Sequence, residues 1–306
     1  MNCCASGNKK IYLKLFWRES YLMTSKVLTC LIRGNYAVIK GEVLSKQAYK
    51  KNGFRNSSDI DILISRKNIN ELEEALSKCG FYNSSLKRSD KITMLSASHQ
   101  VAPWIKEILP WGVIVIDLNF DVFWGEYEGK RIDIEEFLSD TIEMEIYGVK
   151  VKTLPPIKAM IQLILHHYKD MNSIFLLATR KSIKYDMFKD IYYLLKNNLD
   201  AIPLDRLYEM SAEYEIIPYV FYVLYHTGQV FDDEILKQYM EAFRTPEGEA
   251  LLNCYGLCAK ERKEWKCDFK TRLEADNLYD LIKDDLTEKD HEKIAINKRI
   301  FMGVSE

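Results

Sequence analysis

Apolar residues recur along this chain with two periods, and the change from one to the other divides it. Between Tyr36 and Leu154 the apolar runs are short, β-branched and bounded by polar or glycine-bearing loops, as in YAVIK (36–40), DIDILI (59–64) and VIVIDLNFDV (113–122). Such runs predict strands. EMEIYGVKVKTL (143–154) alternates around Tyr147-Gly148 and predicts a hairpin. Phe81 to Asn83 and Lys91 to Leu95 read as two further short strands, and a loop with Pro103 and Pro110 precedes the run at 113. Interleaved with these are a helix over Glu42 to Tyr49 and another over Asn68 to Lys78. The second has Ile69, Leu72, Ala75, Leu76 and Cys79 at helical spacing and Gly80 as its stop. Ile11 to Arg33 reads as a leading helix or helix pair closed by Gly34-Asn35. After Pro155-Pro156 the period becomes helical. Ile157, Met160, Ile161, Ile164, Leu165 and Tyr168 form one stripe, and Phe188, Ile191, Tyr192 and Leu195 another. The expectation is an α/β unit over 1–154 followed by an all-helical domain over 155–306, with no internal repeat.

Composition narrows the function. Lys plus Arg number 43 against 45 Asp plus Glu in 306 residues, a net charge of -2, and the signs are interleaved along most of the chain. A dedicated nucleic-acid binder usually carries a basic excess, so nucleic acid is disfavoured as a partner. No run of about 18 apolar residues occurs, which argues against a membrane span. The opening apolar piece is broken by Lys14 and no small-residue cleavage site follows it, so the expected setting is cytoplasmic. Seven dispersed cysteines fit reduced thiols there. Cys254, Cys258 and Cys267 lack the paired spacing and the fourth ligand of a zinc site.

The chemistry concentrates at Asp59 and Asp61. Two apart on a strand, both carboxylates project to one face, and Ile60, Ile62 and Ile64 project to the other. Carboxylates held that close repel, and water or cations sustain them. Magnesium takes oxygen ligands and commonly bridges one or two carboxylates to substrate phosphates. A phosphoryl-transfer site built on two ions needs a further carboxylate from a neighbouring element. Asp117, inside the apolar VIVIDLNF, is the best candidate, because a bound cation would account for a charge at that position. Asp121 shares its face but lies about 13 Å further along at about 3.3 Å per residue, which makes it a second choice. Taken alone, an Asp-x-Asp pair is most often a solvated feature.

The ordered set Val38-Ile39-Lys40-Gly41, Arg55, Ser58-Asp59-Ile60-Asp61-Ile62-Leu63-Ile64, Ile116-Asp117-Leu118 and the helical stretch His166 to Leu195 resembles the nucleotidyltransferases of the DNA polymerase β-like superfamily. Within them it looks most like the bacterial nucleotidyltransferase family of largely unknown substrate. The resemblance spans about residues 30 to 200. It implies a polymerase β-like catalytic domain with a mixed sheet, followed by an all-helical C-terminal domain that holds the acceptor. It also implies that Asp59, Asp61 and Asp117 hold Mg2+ or Mn2+, that Gly41 and the helix start behind it approach the triphosphate, and that Lys40, Arg55 and Ser58 take part in binding an NTP. The implied reaction is in-line attack on the α-phosphate with release of pyrophosphate. ATP is one such donor, and the acceptor would be a small molecule or a peptide, in a biosynthetic setting. Where the superfamily has Ser after the Gly this chain has Glu42, and the segment 43–58 is longer than usual. Either Glu42 turns outward as an early helix residue or the grip on the nucleotide differs.

Two other readings stay open. Asp59-Ile60-Asp61 also satisfies the Asp-x-Asp rule of sugar-nucleotide glycosyltransferases, and Glu42 would suit a non-catalytic nucleotide-sensing or protein-binding module. In the helical half, His166, His167, Asp186 and Asp190 read as packing or solvated residues, and Tyr219, Tyr222 and Tyr225 as packing. The charged stretch from Lys260 onward reads as a solvated helix or loose tail.

Overall fold

The computed structural model describes residues 3–29, 35–55, 57–83, 91–92, 94–95, 98–110, 112–179 and 182–302. By contact the chain forms two units, Met1–Asp121 with Ile132–Ala159, and Val122–Arg131 with Met160–Glu306.

The first unit is built on a seven-stranded mixed sheet. Its strands are β1 (Tyr36–Ile39), β2 (Ile60–Ile64), β3 (Tyr82–Asn83), β4 (Trp104–Ile108), β5 (Gly112–Asn119), β6 (Ile142–Ile146) and β7 (Val149–Thr153), in the spatial order β3-β4-β5-β2-β1-β7-β6. The central strands β2 and β1 are buried almost throughout, which is why YAVI and IDILI read as near-continuous apolar runs. β1 and β2 are antiparallel, whereas β2 with β5 and β1 with β7 are parallel. The hairpin β6-β7 turns at Tyr147 (φ 50°) and Gly148 (φ 85°), the pair of positive φ values that a tight two-residue turn demands.

Helix α1 (Cys3–Thr29) lays Trp17, Tyr21, Val27 and Leu28 on the sheet, and α3 (Ile69–Lys78) adds Ile69, Leu72, Ala75 and Leu76 to the same core. One continuous helix thus runs through Ile11 to Thr29; the expected stop at Gly34 lies outside the described residues. Helix α2 (Gly41–Tyr49) starts directly at the end of β1.

Two expectations in this unit fail. Lys91, Ile92, Met94 and Leu95 are helical, not strand, because so short an apolar window carries no decisive period. β4 occupies the stretch read as a loop. Its adjacent Lys106 and Glu107 break the apolar alternation, yet five residue pairings with β5, from Trp104↔Ile116 to Ile108↔Gly112, hold it in the sheet.

The second unit is helical apart from a small antiparallel ribbon, Cys254–Tyr255 with Lys263–Glu264. Its main helices include Tyr185–Lys196, Leu204–Glu213, Ile217–Gly228 and Glu234–Ala242. Phe188, Ile191, Val220, Phe221 and Tyr222 are buried between them. The charged stretch over 260–302 is folded. Leu278, Ile282 and Ile294 are buried, and helix Glu288–Asn297 begins with a capping box in which Thr287 and Asp290 exchange hydrogen bonds. Asp190 is also buried (1% exposed), against its reading as a solvated charge. Cys79, Cys254, Cys258 and Cys267 are free thiols. Among the described residues no helix is long and apolar enough to cross a membrane.

Candidate active site

Strand register brings the acidic residues together. Asp61 lies opposite Ile39 on its antiparallel neighbour and opposite Asp117 on its parallel one. Adjacent strands are about 4.8 Å apart, so side chains in register on one face meet directly. Asp59 stands immediately before β2, two residues from Asp61, and its charge acts on both other carboxylates. Asp121 lies beyond the end of β5, while Asn119 holds the place two residues after Asp117 on the same face.

Asp61 is the best satisfied of the three. Its Oδ1 accepts a hydrogen bond from the Lys40 ammonium at 2.7 Å and another from Asn119 Nδ2 at 3.2 Å. Burial pushes the Asp117 carboxyl up to about 7, and repulsion from Asp61 and Asp59 adds to this while Lys40 opposes it. Burial also raises Asp59, Asp61 adds to the rise, and Lys40 and Arg55 oppose it. The cluster is therefore short of positive charge. A divalent cation is the natural remedy, since it would favour the ionised form of all three carboxylates. The oxygen-only donor set suits Mg2+ or Mn2+.

Beside the carboxylates, the β1-α2 junction turns through Lys40 (φ 54°, ψ -148°) and Gly41 (φ 44°). A methyl group on Gly41 would meet Ser57 Oγ at 3.4 Å and the Asp59 carbonyl oxygen at 3.6 Å, ordinary contact distances, so it is the positive φ that favours glycine here. Ser57 Oγ is shut away from solvent and has no hydrogen-bond partner among the described residues. The Lys40 side chain makes no cap hydrogen bond to the start of α2. A helix N-terminus and an unpartnered hydroxyl next to a glycine turn form an environment suited to an anion. Ser58, the hydroxyl singled out in the sequence, is exposed.

Glu42 neither turns out to solvent nor stands free in the site. It is buried (1% exposed), its Oε2 accepts the Gly53 N–H at 2.7 Å, and it hydrogen-bonds the Tyr147 hydroxyl. Burial raises its carboxyl, while those two bonds and the charge of Arg55 act against the rise. Ser45 continues the anchorage. Its hydroxyl donates to the Lys51 carbonyl at 2.8 Å and accepts from the Phe54 and Arg55 N–H groups. The long segment after α2 is thus pinned to the helix through residue 55, which places Arg55, half-buried, near Asp59.

Sequence reasoning missed Asn119, Ser57 and the structural role of Glu42. Asn119 was within reach, because two residues past Asp117 on a regular strand is the same face. Glu42 stood out as a departure from the pattern but its partners did not, and Ser57 gave no signal, since both roles depend on where the loop folds back.

A second polar group lies in the helical unit. Ligand atoms of His166, His167 and Asp170 fall within 4.8 Å of one another. Within this group Asp170 lies 3.4 Å from His166 Nε2 and 3.8 Å from the Lys169 ammonium.

The first unit thus combines a mixed sheet, in-register carboxylates and a glycine turn at a helix start. Residues 33–232 match the family described as uncharacterised nucleotidyltransferase, and the chain belongs to that family. Among solved structures it is similar to an antigenic nucleotidyltransferase-like protein from Paracoccidioides brasiliensis, with 16% identity, 72% of this chain and 92% of that chain covered, and a TM-score of 0.41. No curated protein matches.

Proposed function

We propose that this protein is a metal-dependent nucleotidyltransferase of the polymerase β-like type, moving a nucleoside monophosphate from an NTP to a hydroxyl or phosphate of a small-molecule or peptide acceptor. The observation that carries the reading is the register Asp61↔Asp117, with Asp59 two residues away. That placement gathers three carboxylates, distant in the chain, beside the Lys40-Gly41 turn. Asp59, Asp61 and Asp117 are the residues that would hold Mg2+ or Mn2+. Such an ion supplies charge neutralisation at the transferred phosphate.

The chain's own residues supply the rest. Amides at the start of α2 and the Ser57 hydroxyl accept the triphosphate, with the Arg55 charge nearby. An oxygen of the acceptor forms a bond to the α-phosphorus, the bond from that phosphorus to the oxygen leading to the β-phosphorus breaks, and pyrophosphate leaves. Asp117 takes the proton of an acceptor hydroxyl. Because Glu42 is committed to Gly53 and Tyr147, its charge is not directed at the triphosphate, which removes the main objection from the sequence. A near-neutral chain with interleaved signs favours a small acceptor over a nucleic acid, and its free thiols suit the cytoplasm.

The test is pyrophosphate release from each of the four NTPs with Mg2+ or Mn2+, in the presence of candidate acceptors. Release that disappears in Asp59→Asn and Asp61→Asn supports the proposal. Release that persists in both variants refutes it, as does UDP formation from a UDP-sugar.

A further inference from the structure

We propose that Ser45 is a positioning residue for nucleotide binding: its hydroxyl, with Glu42 as a second anchor, holds residues 51–55 against α2 and so presents the Arg55 guanidinium to the triphosphate. The inference rests on the nucleotidyltransferase reading and adds to it a residue that governs the grip on the nucleotide.

Ser45 departs from the habit of the other helical hydroxyls. Ser20, Thr24, Ser211 and Thr227 each donate to the carbonyl four residues back in their own helix, the ordinary fate of a hydroxyl there. Ser45 reaches out of its helix. Its hydroxyl donates to the Lys51 carbonyl at 2.8 Å and accepts from the N–H groups of Phe54 at 3.1 Å and Arg55 at 3.3 Å. A hydroxyl has one hydrogen and two lone pairs, so its whole capacity goes to this loop.

Glu42 stands three residues earlier, on the same face of the helix. Its Oε2 accepts the Gly53 N–H at 2.7 Å, and the Tyr147 hydroxyl, on the β6-β7 turn, donates to the same carboxylate. The successive amides of Gly53, Phe54 and Arg55 are therefore all tied to side chains of α2. The last of them belongs to the arginine.

The loop gives little apolar burial in return. Lys50, Lys51, Gly53 and Phe54 are exposed, while Ser45 and Glu42 are 0% and 1% exposed. Buried polar groups committed to an exposed segment fix where that segment lies and add little to a core. What the segment brings is charge. Arg55 favours the ionised form of both Asp59 and Glu42, so its charge is felt at the carboxylate cluster and at the start of α2, where the triphosphate is seated in this reading. A guanidinium offers phosphate a fork of donors, and one whose backbone is already held loses less freedom on binding.

The experiment is titration calorimetry on the full chain in Mg2+, with inorganic tripolyphosphate and each of the four NTPs as probes, read on the probe that binds tightest. Arg55→Gln and Ser45→Ala should each weaken binding about tenfold, the loss of most of one charge-assisted hydrogen bond. The double variant should bind no more weakly than Arg55→Gln alone, because a serine that acts through Arg55 then has nothing to position. Ser45→Cys, which fills the same place with a weak hydrogen-bonding group, should repeat the result. Thermal denaturation checks that each variant is folded. Wild-type affinity in folded Ser45→Ala or in Arg55→Gln overturns the proposal. So do losses that multiply in full in the double variant, the mark of a serine that only supports the fold, and so does unfolding of both Ser45 variants. Each of these outcomes leaves the nucleotidyltransferase reading standing; a wild type that binds none of the probes sinks the reading itself.

Discussion

Replacing Asp117 by Asn should stabilise the metal-free protein at alkaline pH and do little at acid pH. In the folded chain the Asp117 carboxyl stands at about 7 against an ordinary 3.8, through burial and the neighbouring charges of Asp61 and Asp59. At about 1.36 kcal/mol for each tenfold change in proton affinity, that corresponds to about 4 kcal/mol of unfavourable ionisation. Part of the side chain still meets water, and Asn must itself be desolvated, so a net gain of about 2 kcal/mol is expected. The sign follows from linkage. Between pH 4 and 7 the native state keeps a proton that the unfolded state has lost, so wild-type stability falls as pH rises through this window and levels off above it. Asn does not titrate. The gap between the proteins should therefore begin to open near pH 4, be about a third open at pH 5, and be complete at pH 8.5. Urea denaturation in EDTA, followed by tryptophan fluorescence at pH 5 and 8.5, measures it. Excess Mg2+ at pH 8.5 should narrow the gap by stabilising the wild type preferentially. A variant less stable than wild type at pH 8.5 in EDTA, or a gap equal at both pH values, would refute the reasoning.

Other substitutions probe the supports of the two units. Glu42→Ala strands the Gly53 N–H and the Tyr147 hydroxyl, and should cost about 2 kcal/mol in thermal denaturation and expose residues 50–55 to limited proteolysis; Glu42→Gln, which can still accept from Gly53, should cost less. Lys158 buries its ammonium against the Phe137 carbonyl at 3.0 Å and Asp140 Oδ1 at 2.6 Å, so Lys158→Met should lower stability by about 2 kcal/mol in denaturant titration. Thr287→Ala removes the capping box of helix Glu288–Asn297, and hydrogen exchange at Asp290 to Ile294 should quicken by the equivalent of about 1 kcal/mol.

What the sequence disclosed follows from where the physical signal is local. β2 and β5 are short, apolar, β-branched runs, and their pattern survives reading in isolation. The β6-β7 turn is legible because Tyr147-Gly148 interrupts clean alternation. β4 escaped because Pro103 and Pro110 flank it and a Lys-Glu pair sits mid-strand; its membership in the sheet comes from pairing with β5, which is a long-range fact. The end of the chain escaped for the opposite reason. Dense charge around Lys260 to Lys293 masked widely spaced core residues such as Leu278, Ile282 and Ile294, whose burial only the folded unit defines.

The site divides the same way, and the division explains why acidic residues are easier to find than what governs them. A carboxylate in an apolar strand is conspicuous because its cost must be met somewhere, so Asp59, Asp61 and Asp117 announce themselves. What meets that cost is placed by backbone geometry that no spacing rule encodes. Lys40 reaches Asp61 through a strained turn, and Asn119 reaches the same oxygen from the neighbouring strand. Glu42, the apparent misfit, is withdrawn from the site by a loop that closes over it through Gly53. These three residues set how much negative charge faces an incoming ion and nucleotide. The charge balance of the acidic cluster is therefore set by the residues around the motif as well as by the motif itself.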